Sequence, residues 1–173
     1  MVIGMAWKIL GSIMTTKIYI SVSEQMLKLL HNNKTKKQYK ISTASLGVGQ
    51  KKDSNKTPLG KHIIRAKIGD KLPKFAVLKG RRFTDKIWSR ELDSVSDNVD
   101  WILTRILWLS GTELGKNRLG DVDSMQRFIY IHGTNEEHLL GTPSSHGCVR
   151  ISNEDVIDLF DNVSVGDQVE IVE

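Results

Sequence analysis

The sequence predicts a mainly-β fold, a sandwich or flattened barrel, with one clear helix close to its C-terminal end. Three observations lead there. Short runs of residues alternate apolar and polar with period two, the pattern of half-buried strands. Glycines, prolines and a pair of asparagines punctuate those runs as turns do. Helical spacing behind a capping residue occurs once, from Ser152 to Val163. With no repeat, low-complexity tract or composition break, residues 17–173 are expected to form one domain around one core.

Residues 1–16 are expected to be an N-terminal tail or a mis-assigned start. They hold an apolar run broken by Lys8, with no basic start and no small-residue cleavage site. Lys17 to Val22 alternates, with Ile18, Ile20 and Val22 on one face, and Gln25 to Leu30 is a second short strand. Asn32-Asn33 signals a turn, and lysine-rich Lys34 to Lys37 suits an exposed loop. Tyr39 to Leu46 alternates again, so a hairpin or meander is expected. Gly47 and Gly49 break the pattern before a polar loop, Gln50 to Lys56. Thr57-Pro58-Leu59-Gly60 reads as a tight turn, because proline fixes φ and glycine permits positive φ.

His62 to Ile68 and Phe75 to Leu78 resume the strand pattern, and His62, at a strand start, reads as structural. Arg81 to Asp100 mixes charges and is poor in apolar residues. It is expected to be a long surface excursion bordering the functional cleft. Trp101 to Leu109 (WILTRILWL) is a buried strand or a short helix, with both tryptophans in the core; periodicity does not decide between them. After a loop from Gly111 to Asp123, Arg127 to Ile131 forms a strand with Phe128, Tyr130 and His132 on one face. Ser152 and Asn153 are capping residues, Glu154 and Asp155 suit a first helical turn, and Val156, Phe160 and Val163 follow at helical spacing. Gly166-Asp167 turns into a last strand, Gln168 to Val172.

Chemistry concentrates between Ile131 and Ile151, IHGTNEEHLLGTPSSHGCVRI, which holds three of the five histidines and the single cysteine. One cysteine excludes an internal disulfide framework and a paired-cysteine redox site. Acyl transfer needs a nucleophile, a base and a place for the oxyanion. Cys148 supplies the first, but a free thiol is only a few per cent thiolate at neutral pH and needs a base. His132 and His146 are the candidates. His146 lies two positions from Cys148, so an extended chain turns both the same way, while His132 is brought back by the intervening loop. Gly147 leaves space beside the thiol, and the N–H groups of Gly147 and Cys148 can serve an oxyanion. Arg150 carries a planar fork suited to a carboxylate, or forms a surface ion pair. His138, beside Glu136 and Glu137, is expected to be exposed. A zinc site would need a ligand spacing that these residues do not have, so no metal is expected.

Charge is uneven. Residues 1–67 carry 13 Lys/Arg against 2 Asp/Glu, and the rest carry 12 against 18. A basic half attracts anionic partners, carboxylate-bearing polymers included. It lacks the aromatic-interleaved basic motif of a nucleic-acid binder, so no nucleic acid is expected. No stretch approaches the roughly 20 apolar residues of a membrane helix, so no integral membrane segment is expected.

His132-Gly133-Thr134-Asn135, followed by Ser145-His146-Gly147-Cys148-Val149-Arg150, resembles the signature of the YkuD-type L,D-transpeptidases, bacterial cysteine enzymes of the cell wall. Thr57-Pro58-Leu59-Gly60 resembles that family's Thr-Pro-x-Gly segment, and Asn153 to Leu159 its helix after the active site. The resemblance implies a β-rich catalytic domain without metal or organic cofactor. In it Cys148 attacks the diaminopimelate L-centre carbonyl of a peptidoglycan tetrapeptide, D-alanine leaves, and a neighbouring stem's amine resolves the thioester into a 3→3 cross-link. His132 is the implied general base, with its tautomer held by the Gly133 carbonyl. His146 shapes the site, Gly147 and Cys148 donate to the oxyanion, and Arg150, Ser145 and Thr134 meet substrate. Acylation of Cys148 by a carbapenem is a further implication. Many family members have asparagine where Arg150 stands. The expected function is the L,D-transpeptidase. Because no export signal is recognisable, the expected location is the cytoplasm, with the periplasm or cell envelope as the alternative. The alternative function is a cytoplasmic L,D-carboxypeptidase of muropeptide recycling with water as acceptor. A reading of another class is a non-catalytic glycan-binding β-domain in which Cys148 is buried and inert.

Overall fold

The computed structural model describes residues 15–96 and 99–173. The expected tail, residues 1–16, lies outside the described residues except for Thr15 and Thr16. Among the described residues ten strands form one sheet: β1 (Thr16–Ser21), β2 (Met26–His31), β3 (Lys34–Ser42), β4 (Gly60–Ile68), β5 (Ala76–Lys79), β6 (Arg82–Ile87), β7 (Ile102–Gly111), β8 (Tyr130–Gly133), β9 (Val149–Ile151) and β10 (Gln168–Val172). The order β4-β10-β1-β2-β3-β9-β8-β7 closes on itself through a β4–β7 pairing, which leaves β5 and β6 as an extension from β7. The mainly-β expectation is met as a closed barrel.

Period-two alternation builds the interior. Ile18, Ile20, Leu27, Leu29, Ile41 and Ile64 belong to one buried cluster with Leu107, Leu109, Ile131, Val149 and Ile151. Helix α2 (Asn153–Asn162) adds Val156, Leu159 and Phe160 to the same cluster. Ser152 is its N-cap and accepts the Asp155 N–H, with Glu154 and Asp155 in the first turn. Asn153 is not a cap. It is fully buried and ties the helix to the strands beneath it.

Several local expectations are corrected. Lys34 to Lys37 belongs to strand β3, because Asn32 and Asn33 take φ of 50° and 60° and close a two-residue hairpin turn. That turn fixes the pairing His31↔Lys34 and overrides the weak strand preference of lysine. The stretch from Trp101 resolves as strand β7. The Arg81 to Asp100 excursion contains β6 and a short helix, α1 (Arg90–Ser94); residues 97 and 98 lie outside the described residues. Trp101 is buried as expected, but Trp108 is only partly so and lies against the apolar cluster that includes Cys148. Strand β8 begins at Tyr130, because residues 123–129 close a tight turn in which Phe128 takes a φ of 56° and stands half exposed. Thr57 is a bridge partner of Val48 rather than part of a turn.

Candidate active site

Parallel pairing of β8 with β9 assembles the site. The register sets Ile131 against Val149 and His132 against Arg150. Ile131 and Val149 point into the barrel core. Side chains alternate, so Tyr130 and His132 on β8 and Arg150 on β9 share the opposite face, and Cys148, the residue just before β9, meets the Tyr130 N–H there. Cys148 and His132 thus become diagonal neighbours although sixteen positions separate them in sequence.

His132 is buried, and its Nδ1 lies 2.8 Å from the Gly133 carbonyl. A carbonyl only accepts, so Nδ1 carries the hydrogen and Nε2 is left as the basic nitrogen. Burial is the largest influence on this imidazole and lowers its pKa, against the raising pull of that hydrogen bond and of Asp100. Cys148 is partly exposed. Its Sγ accepts the Tyr130 N–H at 3.4 Å and donates to the Phe128 carbonyl at 3.4 Å. Burial pushes the thiol up to about 12, against the pull of the Tyr130 N–H and of Arg150 and Arg127. A thiol shifted up and an imidazole shifted down both favour a neutral pair, a thiol beside an imidazole, over a thiolate beside an imidazolium.

The loop before the cysteine is bent, not extended. Gly147 takes a φ of 130°, and the expected common facing of His146 and Cys148 along a straight strand is replaced by this bend. Thr57 pins the bend from below: its hydroxyl donates to the Gly147 carbonyl at 3.0 Å and accepts the Ala44 N–H at 3.0 Å. Ser145 is fully buried, donates to the Cys148 carbonyl at 2.5 Å and accepts the Gly147 N–H at 3.2 Å. The Gly147 N–H expected to serve an oxyanion is therefore engaged. Thr134 is buried too, accepting the Glu136 N–H through its hydroxyl and the Asn153 amide through its carbonyl. Neither Ser145 nor Thr134 offers a surface to substrate here; both hold the loops that frame the site.

Arg150 is buried along with its charge. Its guanidinium donates to Asp100 at 2.6 Å and to Glu136 at 2.6 Å, with a longer contact to Ser144. The fork expected to meet a substrate carboxylate is filled by two protein carboxylates. The other oxygen of Asp100 accepts Nδ1–H of His146 at 2.9 Å. Burial works against the Asp100 charge, but the His146 hydrogen bond and Arg150 outweigh it and hold the carboxyl below its usual range. The His146 ring is itself largely exposed and stands between two cavities. One, of about 470 Å³, is walled by Trp108, Arg127, Phe128 and Ile129; the other, of about 550 Å³, by Asp100, Asn135, Glu136 and Arg150.

Sequence reasoning missed Asp100, Tyr130, Thr57 and Asn153 as parts of this site. Asp100 is 46 residues from His146, and nothing local to it signals the contact. Thr57 was visible only within the Thr-Pro-Leu-Gly string.

Fold and site together define a class: a β-barrel domain that presents a histidine from one strand and a cysteine from the loop that enters the parallel strand beside it, on the face turned away from the core. The chain matches the YkuD family, L,D-transpeptidase catalytic domain, over residues 15–171, and it belongs to that family. A 47-residue stretch is 47% identical to the probable L,D-transpeptidase ErfK/SrfK of Escherichia coli (strain K12), covering 27% of this chain and 15% of that protein. A 47-residue stretch is 43% identical to the putative L,D-transpeptidase YqjB of Bacillus subtilis (strain 168), covering 27% of each. Among solved structures, an L,D-transpeptidase from Mycobacterium smegmatis superposes with a TM-score of 0.56 at 15% identity, covering 92% of this chain and 59% of that one. L,D-transpeptidase 3 from Mycobacterium tuberculosis, in complex with a faropenem-derived adduct, superposes with a TM-score of 0.56 at 15% identity, covering 92% and 61%. At such identities the superpositions establish the shared fold.

Proposed function

We propose that this chain catalyses cysteine-dependent acyl transfer on peptidoglycan stem peptides, with Cys148 as nucleophile and His132 as general base. The observation that carries this reading is the shared face of β8 and β9, which sets the fixed-tautomer His132 diagonally beside Cys148 in a chain of this family.

The steps follow from that arrangement. His132 Nε2 takes the thiol proton as Sγ attacks the carbonyl at the diaminopimelate L-centre, and His132 becomes an imidazolium. The C–N bond to the terminal D-alanine breaks, and the imidazolium returns its proton to the departing amine. A thioester on Cys148 remains. The acceptor amine of a second stem then gives a proton to His132 and attacks the thioester; the C–S bond breaks, and the imidazolium returns the proton to Sγ, which regenerates the thiol and the neutral base. A neutral resting pair suits this route, because the base is unprotonated when substrate arrives. Oxyanion donation by Gly147 requires release of its N–H from Ser145. Water in place of the amine gives an L,D-carboxypeptidase with the same first half. Acylation of Cys148 by a penem or carbapenem is part of the same proposal.

Mass spectrometry of a disaccharide-tetrapeptide incubated with the protein, with Cys148→Ala as control, tests the reading. A cross-linked dimer means an amine acceptor, and a monomeric tripeptide means water. No Cys148-dependent loss of D-alanine overturns the proposal and favours the glycan-binding alternative.

A further inference from the structure

The β5–β6 hairpin places a cation at the edge of the site that the reaction as described does not use. Gly80 and Arg81 are its two turn residues, with φ of 55° and 64° between the paired Lys79 and Arg82. That is a primed hairpin turn, whose second central position favours glycine or asparagine. An arginine there holds a backbone conformation that L side chains resist, which fixes the direction in which its side chain leaves the turn. The Arg81 guanidinium carbon sits 4.7 Å from the ring centroid of Trp108 and 5.1 Å from that of Phe128. Its Nη1 donates to the Tyr130 hydroxyl at 3.1 Å.

Charge pairing sets Arg81 apart from Arg150. Arg150 holds two carboxylates, whereas no ion pair among the described residues involves Arg81. One of its five N–H groups is spent on Tyr130, and that phenol, accepting from Arg81, keeps its own proton to donate. The aromatic rings hold the guanidinium plane in place and reduce the freedom lost on binding an anion. Position completes the case. Tyr130 is the residue whose N–H meets Cys148 Sγ, and Trp108 and Phe128 wall the cavity that His146 borders.

We propose that Arg81 and the Tyr130 hydroxyl form a subsite for a carboxylate of the acyl-donor stem peptide, a proposal that rests on the peptidoglycan reading above. Two carboxylates of the donor have the required chemistry: the one ending the departing D-residue and the one on the diaminopimelate side chain.

The test uses the Cys148→Ala chain, with binding measured by calorimetry for three disaccharide-tetrapeptides. One has both carboxylates free, one is amidated at the terminal D-alanine, and one is amidated on the diaminopimelate side chain. Arg81→Asn removes the guanidinium while keeping a residue that suits the turn. It weakens binding of the free peptide about 10- to 100-fold, as expected for a charge-assisted pair. It leaves unchanged the binding of whichever amide lacks the held carboxylate, and so identifies that carboxylate. Arg81→Lys recovers part of the loss. In the Cys148 chain, Arg81→Asn raises KM and leaves kcat in place. Equal weakening of all three peptides, or no weakening, overturns the proposal. If the Arg81 chain binds none of them, this proposal falls together with the peptidoglycan reading. If Cys148-dependent turnover is present and insensitive to Arg81→Asn, this proposal alone falls.

Discussion

Asp100 Oδ1 accepts from Arg150 Nη2 at 2.6 Å, which ties the end of the 81–100 excursion to the strand that follows the cysteine. Arg81 ties its beginning to Tyr130 on the neighbouring strand. Arg150 is nearly inaccessible, while Asp100 and Glu136 keep more than a third of their side-chain surface. Replacing Arg150 by methionine leaves the Glu136 carboxylate without a partner and Asp100 with only its His146 hydrogen bond, both still partly hydrated. A loss of about 2 kcal/mol in urea unfolding is expected, below the 3–5 kcal/mol of a fully buried pair. Asp100→Asn leaves the Glu136 contact intact and should cost about half as much. Equal effects of the two changes would show that Glu136 contributes nothing.

Alkylation of Cys148 should report the neutral resting pair. With the thiol pushed up to about 12, the thiolate fraction at pH 7 is minute and grows tenfold per pH unit. The iodoacetamide rate is expected to rise with that slope from pH 7 to 10, without levelling near 8.5. A plateau around neutrality would instead reveal a thiolate–imidazolium pair. Slow labelling at pH 7 is therefore compatible with the proposed nucleophile, and the slope with pH, not the rate at pH 7, is the reading that counts.

Acid stability should depend on His62. This buried imidazole bonds the Gly60 carbonyl and Ser124, and burial lowers its pKa to about 4. The unfolded chain, with a pKa near 6.5, binds the proton that the folded chain refuses. Stability is therefore full above about pH 6.5 and is lost as pH falls towards 4, by about 3 kcal/mol. Asp100, held below its usual range, adds its own loss only at lower pH, as it protonates. His62→Gln should flatten the melting temperature between pH 6.5 and 4, whatever its effect at pH 8. An unchanged slope in that window would assign the acid sensitivity to other groups.

The sequence made the barrel's outline legible because alternation is local. Ile18, Ile20, Ile64 and Ile131 reveal an inward face without knowledge of any partner strand. It made the cysteine and its histidines legible because they crowd one stretch of 21 residues. What it hid is set by distance. Arg150 reads as a free fork until Asp100, fifty positions away, and Glu136 fill it. Ser145 reads as a substrate contact until its hydroxyl is found holding Cys148 and Gly147. The β5–β6 hairpin was hidden because its turn is Gly-Arg, not the Asn-Gly that announces such a turn.

Gly133 links that long-range packing to the chemistry, and Gly133→Ala tests the link. An added Cβ would lie 2.5 Å from Asn153 Oδ1 and 2.8 Å from the Leu103 carbonyl. Neither yields readily. Leu103 is strand backbone, and the Asn153 amide is held by Thr104, the Thr134 carbonyl and Glu137. Overpacking of this kind costs about 1–3 kcal/mol. The same residue's carbonyl fixes the His132 tautomer, so any shift that relieves the clash moves the acceptor away from Nδ1. Turnover should therefore fall well beyond the loss of folded protein, measured by kcat at a temperature where the variant is fully folded. Adding Asn153→Ala removes the nearer clash. The double variant should lose less stability than the two single losses combined, because one contact is shared between them. Strict additivity would mean that Gly133 and Asn153 do not meet as described, and that the glycine is required for another reason.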